Sequence, residues 1–219
     1  PRSTLFPYTT LFRSRSPEYI LTGINALDRK LNGLEKGKLS VLSGLRASAK
    51  STILSEIILN TIDKGYTSVC YSGELSDKSF INWMMRQAAG KRHVIETAKY
   101  KSHYCVDRRA QNMIADWMGG KFWLYNNTKH FKSMELLEAL EQKSIEVNAD
   151  LIVIDNLMAV DVASLNNNNE YDAQTKFMWK LKEIAEACNA HVILVAHPRK
   201  RQGGFGMLRL DDIAGSGNI

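Results

Sequence analysis

Ten residues, Ser43–Thr52, have the types and spacing that suit phosphate binding. They read SGLRASAKST, close to the pattern G-x-x-x-x-G-K-[ST], in which backbone N–H groups at the start of a helix surround a phosphate. One position departs from the pattern, because Ala49 stands where glycine is expected. The predicted nucleotide-binding residues of this loop are Gly44, Leu45, Arg46, Ala47, Ser48, Ala49, Lys50, Ser51 and Thr52.

The chemistry of a triphosphate site assigns roles to a few of these residues. Lys50 is the candidate cation between the β- and γ-phosphates, and the Ser51 hydroxyl is the candidate ligand of Mg²⁺. Asp155, which ends the apolar run LIVID, is expected to support the metal, and Glu74 in YSGELS to orient and deprotonate water. Taken singly, Asp155 could instead be a strand-end cap and Glu74 a surface acid.

Ala49 is the weak point of the predicted loop. Glycine tolerates backbone angles and a close approach of phosphate that a β-carbon resists. Alanine is the smallest departure from glycine, so we expect the loop still to bind nucleotide. Loss of binding is the alternative.

The rest of the chain reads as strands alternating with helices, from Tyr19 onward. Apolar strands are predicted at LSVLSG, TSVCYSGE, KFWLYN, DLIVIDN and AHVILVAH, and helices at TGINALDRKL, 50–64, 78–89, 133–148 and 172–188. Residues 91–120 are basic and irregular and predict a small helical excursion. This alternation predicts an α/β fold with a parallel sheet of about five or more strands flanked by helices.

The candidate polar residues share one kind of place in this arrangement. The glycine loop, Glu74, Asp155 and His197 each follow a predicted strand. Parallel sheets bind ligands beyond the carboxyl ends of their strands, so we expect these residues to meet at one edge. His197 taken alone would be a structural histidine.

Composition restricts the class of protein. With 219 residues, 44% of them hydrophobic and 24% charged, the chain predicts a globular domain. Cys70, Cys105 and Cys188 fit no metal spacing, and as reduced thiols they favour the cytoplasm. No apolar run is long enough to cross a membrane, so no membrane partner is expected. The net charge of +6 permits nucleic-acid binding without requiring it.

Both ends of the sequence look atypical. Residues 1–16 contain a near-repeat, TLFP and TLFR, and three arginines without an acid. They resemble translated sequencing adapter more than a signal segment, so we expect a non-native stretch at 1–16 and one domain at 17–219. The chain stops at DDIAGSGNI, which predicts truncation at the carboxyl end.

Taken together, the motifs resemble the helicase domain of DnaB-type replicative helicases. The segments that carry this resemblance are TGINALDRKLNGLEKGKLSVLSG, YSGELS, LIVIDNL, LVAHPRK and LRLDDIAGSGNI, in this order. Within the family the chain looks most similar to phage primase–helicases and to the mitochondrial helicase Twinkle. The resemblance implies a RecA-like P-loop NTPase that forms a ring, usually a hexamer. Such rings use ATP and Mg²⁺ to move 5′→3′ along single-stranded DNA and unwind duplex during replication.

The resemblance also implies residue roles and partners. Lys50 and Ser51 would contact phosphate and Mg²⁺, Glu74 would be the catalytic base, and Asp155 would support the metal. His197 would match the γ-phosphate sensor of the family, and the adjacent Arg199, Lys200 and Arg201 would face DNA. Primase and a helicase loader are the implied protein partners, in the cytoplasm of a bacterial or phage-infected cell. The run Asn166–Asn169 opens a further polar loop, which faces either DNA or solvent.

The departures from the family leave two alternatives open. The arginine finger of the family would lie beyond Ile219, so we expect the chain as given to bind ATP, to hydrolyse it poorly and to unwind nothing. One alternative is a RecA-, RadA- or KaiC-type ATPase, which shares the TG…LD preface and the phosphate loop. The other is a catalytically weak nucleotide-sensing module.

Overall fold

The computed structural model describes residues 17–45, 47–96, 104–125, 133–156 and 170–198, with side chains from residue 173 onward in the last range. The strands, in chain order, are β1 (Tyr19–Ile20), β2 (Leu34–Glu35), β3 (Leu39–Ser43), β4 (Ser68–Ser72), β5 (Val94–Glu96), β6 (Tyr104–Val106), β7 (Phe122–Tyr125), β8 (Leu151–Asp155) and β9 (His191–Ala196). The helices are α1 (Asn25–Leu31), α2 (Lys50–Asp63), α3 (Asp77–Ala89), α4 (Arg108–Met118), α5 (Ser133–Glu146) and α6 (Glu170–Cys188).

Five strands form one parallel sheet in the order β3-β9-β8-β4-β7. The two apolar runs LIVID and HVILVA form its central strands, and every residue of both is buried, as expected for strands covered on both faces. The register pairs Ser43 with Ala196 and Ser72 with Asp155. The carboxyl ends of four strands therefore lie at one edge, which confirms the predicted α/β fold class.

Helices cover both faces of this sheet. On one face, α5 and α6 pack over a core that contains Phe177, Leu181 and Ile184, all of them buried at helical spacing, while Cys188 is only half-buried. On the other face, α2, α3 and α4 pack over a second core that includes Leu54 and Phe80. Among the described residues, no helix is both long enough and apolar enough to cross a membrane.

Two small antiparallel strand pairs depart from the predicted elements. Residues 91–120 contain the expected helix, α4, but also an antiparallel pair, β5 and β6. The predicted helical excursion is confirmed by α4, whereas the hairpin was not predicted, because strands of three residues show too little alternation to be recognised. The predicted turn NGLEKGK contains β2, which pairs with β1. Both pairs lie outside the main sheet and leave its topology unchanged.

Charged and polar groups join the β1–β2 pair to the amino edge of the sheet. Lys36 Nζ lies 2.6 Å from Asp150 and 3.3 Å from Glu18. His191 donates its Nδ1–H to the Glu35 carbonyl at 2.7 Å, and its Nε2 is buried without a partner among the described residues. Burial lowers the pKa of His191, although the bond to Glu35 opposes the shift. His191 is therefore a neutral structural side chain.

Candidate nucleotide site

The glycine loop lies between β3 and α2, at the carboxyl edge of the sheet. Gly44 is buried, and a β-carbon there would lie 2.6 Å from the Ser48 hydroxyl. The Ser48 N–H donates to the Leu45 carbonyl at 3.2 Å, which turns the chain back toward α2. A side chain at position 44 would therefore force the Ser48 hydroxyl to move.

Ala49 takes the backbone conformation that glycine favours. Its φ is 61° and its ψ is 25°, in the left-handed region, and α2 begins at the next residue. Ala47 has a φ of 59°. A residue with a β-carbon is destabilised in this region by about 1–2 kcal/mol. The loop therefore has the backbone that the phosphate-binding pattern requires, and the two alanines hold it at a cost in strain.

Lys50 folds back across the loop that precedes it. Its Nζ donates to the Gly44 carbonyl at 2.9 Å and to the Leu45 carbonyl at 3.0 Å. The residue is only 9% exposed, so the ammonium is held on the inner side of the loop. A phosphate bound by the N–H groups at the start of α2 would lie against this charge.

The first turn of α2 is braced by the neighbouring helix α3. The Ser55 hydroxyl donates to the Ser51 carbonyl at 2.7 Å and also contacts Gln87 Oε1. The Gln87 amide donates to the Thr52 carbonyl at 3.2 Å. These bonds fix the backbone that carries the Ser51 hydroxyl, the group predicted to bind Mg²⁺.

Three polar side chains meet beyond the ends of β4, β8 and β9. Asn156 is 2% exposed, and its amide N–H donates to Glu74 Oε1. The same Asn156 nitrogen lies 2.8 Å from His197 Nε2. His197 Nε2 also pairs with Glu74 Oε1. We call Glu74, Asn156 and His197 the strand-end triad.

Asp155 lies directly before the triad and is almost completely buried. Burial first, and then the nearby Glu74 carboxylate, raise its pKa to about 6, although the charges of His197 and Lys50 act in the opposite direction. Its Oδ2 is buried without a hydrogen-bond partner in the described part of the chain. An unpartnered buried carboxylate oxygen that responds to Lys50 is suited to a cation bound between the two segments.

The donors present here fit Mg²⁺. Carboxylate and hydroxyl oxygens are ligands that Mg²⁺ accepts, and the ion usually takes only one or two protein groups together with water and substrate phosphates. Asp155 and Ser51 provide one group each. The described residues contain no cluster of three or more His, Cys, Asp or Glu that could hold a metal ion.

Most of the predicted site residues lie within the described part of the chain. Glu74, Asp155 and His197 come together at one edge, and Lys50 is close enough to act on the pKa of Asp155. Outside the described residues lie Arg46, Asn166–Asn169 and Arg199, Lys200 and Arg201. Their predicted roles stay predictions.

The sequence analysis missed two residues that organise this edge. Asn156 directly follows Asp155, and its position after the last strand residue was the available signal. Gln87 lies on α3, 35 residues from its partner Thr52, and no local pattern indicates such a contact. Asn156 could therefore have been found from the sequence, whereas Gln87 required the packing of two helices.

A five-stranded parallel sheet with a glycine loop between its first strand and the following helix defines a P-loop NTPase fold of the RecA-like kind. The profile of the AAA domain family matches residues 20–203. The chain therefore belongs to the AAA domain family.

Solved structures support the same fold. One, described as the structure of a DnaB-like replicative helicase and its interactions with primase, superposes with a TM-score of 0.73 at 16% identity, over 97% of this chain and 53% of that one. Another, described as an ATPase domain, superposes with a TM-score of 0.68 at 15% identity, over 96% of this chain and 75% of that one.

These likenesses bear on the DnaB-type resemblance in a limited way. The solved structures confirm the resemblance at the level of the fold. This chain spans about half the length of the first of them. The resemblance to phage primase–helicases and to Twinkle stays a prediction.

Proposed function

We propose that this chain is the ATP-hydrolysing domain of a replicative DNA helicase. The observation that supports the proposal most strongly is the strand-end triad beside buried Asp155, at the same edge of the sheet as the glycine loop. A general base, a metal-supporting carboxylate and a phosphate-binding loop are the parts that ATP hydrolysis needs.

Substrate binding is assigned to the loop and to the start of α2. Backbone N–H groups of residues 44–52 surround the β-phosphate, and Lys50 leaves its two loop carbonyls to bridge the β- and γ-phosphates. Ser51 and Asp155 would hold Mg²⁺, which when bound would neutralise charge on the phosphate oxygens. The bracing of α2 by Gln87 keeps the Ser51 hydroxyl in place before substrate arrives.

Hydrolysis is assigned to Glu74. Its carboxylate takes a proton from water as the water oxygen bonds to the γ-phosphorus, and the bond from that phosphorus to the β–γ bridging oxygen breaks. Asn156 acts as a positioning residue, because it is buried and donates to Glu74 Oε1. One carboxylate oxygen is thereby fixed, and the direction in which the other points is fixed with it.

His197 is assigned to the coupling of ATP hydrolysis to movement along DNA. It contacts the catalytic carboxylate on one side, and Arg199, Lys200 and Arg201 follow within four residues. If the γ-phosphate draws His197 away from Glu74, the Glu74 carboxylate becomes free to act as the base. The segment that contains Arg199, Lys200 and Arg201 would move at the same time. Movement of that segment along DNA phosphates would convert hydrolysis into translocation.

The larger assembly is part of the same proposal. The whole protein that contains this domain forms a ring, a hexamer as the resemblance implies, around single-stranded DNA and moves 5′→3′. The DnaB-like helicase cited above is described together with primase, and we propose primase and a loader as partners, in the cytoplasm. We propose that the ATP-hydrolysing domain covers residues 17–219.

The direct test is unwinding by the whole protein that contains the chain. With ATP it should separate a fork that has a 5′ single-stranded tail, should fail on a 3′ tail alone, and should form rings by mass photometry. A Lys50→Ala variant should form the same rings and separate neither fork. Filaments on DNA without unwinding would support the RecA-, RadA- or KaiC-type alternative instead.

The nucleotide-sensing alternative is favoured by one observation, the strain at Ala49. A loop that holds two alanines in the left-handed region could bind ATP without turning it over. ATP binding by the wild type, with no hydrolysis in the presence or absence of DNA, would support that alternative and contradict the helicase proposal.

A further inference from the structure

The hairpin of β5 and β6 carries an unusual concentration of positive charge. The segment 91–109 contains six lysines and arginines and two acids, and the first 16 residues contain three arginines and no acid. Since the whole chain has a net charge of +6, the remaining residues are close to neutral. We call the described parts of this segment, residues 91–96 and 104–109, the basic hairpin.

Pairing across the hairpin brings its charges to one place. The Asp107 N–H donates to the His93 carbonyl at 2.9 Å, and the His93 Nδ1 lies 2.7 Å from the Asp107 carboxylate. Two cations directly precede His93, and two more directly follow Asp107. These four exposed cations are Lys91, Arg92, Arg108 and Arg109.

Nothing within the described residues neutralises these four cations. None of them forms an ion pair or a cation–π contact there. The nearest acid, Asp107, is already engaged, since the Ala110 N–H and His93 both donate to it and lower its pKa. Arg108 and Arg109 also occupy the first turn of α4, where the helix dipole disfavours cations. Helix stability therefore does not account for them.

Exposed aromatic and apolar groups lie on the same hairpin as the charges. Tyr104 is 51% exposed and Ile95 is 50% exposed, and the register pairs Glu96 with Tyr104 at the loop end of the hairpin, whereas the four cations lie beyond its other end. Cations that follow a phosphate backbone, with an aromatic ring on which a base can stack, are the features of sequence-tolerant binding to single strands.

We propose that the basic hairpin is a second binding surface for single-stranded DNA. Its four cations contact phosphates, and the ring of Tyr104 stacks on a base. This surface is separate in sequence from Arg199, Lys200 and Arg201, the DNA-facing segment of the proposed function, and it goes beyond that function. Only the choice of DNA over RNA rests on the helicase proposal.

The test uses paired substitutions with equal charge change. Arg108→Gln with Arg109→Gln removes two proposed phosphate contacts, and Lys176→Gln with Lys182→Gln removes two exposed lysines from α6 as the matched control. Binding of a fluorescent oligo-dT is measured without nucleotide over a range of salt concentrations. Each phosphate contact contributes about 0.7 to the slope of log affinity against log salt.

The arginine pair should therefore lower the magnitude of that slope by about 1.4 and weaken binding about 25-fold at 0.1 M salt, if affinities converge near 1 M. The lysine pair on α6 should change neither quantity by a comparable amount. Equal losses in both variants would mean a general charge effect and would overturn the proposal. An unchanged arginine variant would also overturn it and would leave an acidic protein as the partner to consider.

A thiol footprint gives an independent measurement on the same surface. Cys105 is exposed and lies opposite Ile95 on the hairpin, whereas Cys70 is buried. In a Cys188→Ser background, oligo-dT should slow modification of Cys105 several-fold, and unchanged modification at saturating DNA would overturn the proposal. Basal ATP hydrolysis should be the same in the arginine variant as in the wild type, so failure of this surface and failure of the proposed function can be told apart.

Discussion

Replacing Ala49 with glycine should stabilise the protein, against the usual effect of this substitution. Ala49 lies in the left-handed region, and relief of that strain is worth about 1–2 kcal/mol. The greater freedom of glycine in the unfolded chain offsets about 0.4–1 kcal/mol of this gain. The free energy of unfolding of Ala49→Gly should therefore rise by about 0.5–1 kcal/mol, which is about 1–4 °C in Tm for a domain of this size.

The matched control is the same substitution in ordinary helix. Ala115 is exposed in the middle of α4, so Ala115→Gly should lower the free energy of unfolding by about 1 kcal/mol. Urea unfolding and thermal scans of both variants beside the wild type test the difference in sign. If Ala49→Gly loses stability as Ala115→Gly does, the left-handed conformation assigned to Ala49 is wrong.

The same variant separates strain from obstruction at the phosphate site. The left-handed backbone is present before nucleotide binds, so its strain is common to the free and bound states and should not weaken binding. ATP affinity of Ala49→Gly, measured by titration calorimetry, should lie within about threefold of wild type, which is a free-energy difference below about 0.7 kcal/mol. A gain of tenfold or more would show that the alanine methyl group obstructs the phosphate.

Four further predictions concern the strand-end triad and the buried titratable groups. Glu74→Gln should lower kcat about 100-fold or more at unchanged ATP affinity, and Asn156→Ala should lower kcat about 10- to 100-fold while KM changes little, since a hydrogen bond to a charged group is lost. The pKa of Asp155 is raised to about 6 in the folded protein. Protonated Asp155 therefore contributes fully to stability below the ordinary pKa of an aspartate, and this contribution is lost as pH rises through about 6. Asp155→Asn should therefore raise the free energy of unfolding by about 3 kcal/mol at pH 8 and by little at pH 4. The lowered pKa of His191 has the opposite sign, so the stability of the wild type relative to His191→Asn should fall as pH drops below about 6.5.

Each of these predictions has an outcome that would contradict it. Wild-type turnover by Glu74→Gln would remove Glu74 from the base role, and an Asn156→Ala variant that loses ATP affinity instead of kcat would make Asn156 a binding residue. Equal stabilisation by Asp155→Asn at pH 4 and pH 8 would show that ionisation of Asp155 is not the cause. A difference in Tm between the wild type and His191→Asn that is the same at pH 8 and pH 5 would show that His191 is not held neutral.

The sequence was sufficient to predict the layers of the fold and the edge at which the site lies. Strands such as LIVID and HVILVA are recognisable because burial on both faces requires unbroken apolar residues. Once these strands are recognised as parallel, the residue that follows each one must lie at a common edge. Glu74, Asp155 and His197 were found on that basis, without any knowledge of their contacts.

The remaining features depended on tertiary contacts that leave little local signal. The β5–β6 hairpin has strands of three residues, too short for an alternating pattern to stand out. The bracing bond from Gln87 to Thr52 joins two helices, and the role of Asn156 depends on three chain segments meeting. The conformation of Ala49 was suspected from the loop pattern, but its left-handed angles required the structure.

The measurement that tests the central claim most directly is ATP hydrolysis with and without single-stranded DNA, by the wild type and by Lys50→Ala, in the whole protein that contains this domain. The account predicts that DNA accelerates hydrolysis by the wild type. It also predicts that Lys50→Ala, with the same fold and assembly, shows no turnover in either condition. Hydrolysis that persists in Lys50→Ala, or a folded and assembled wild type that binds ATP and hydrolyses none with DNA present, would contradict it.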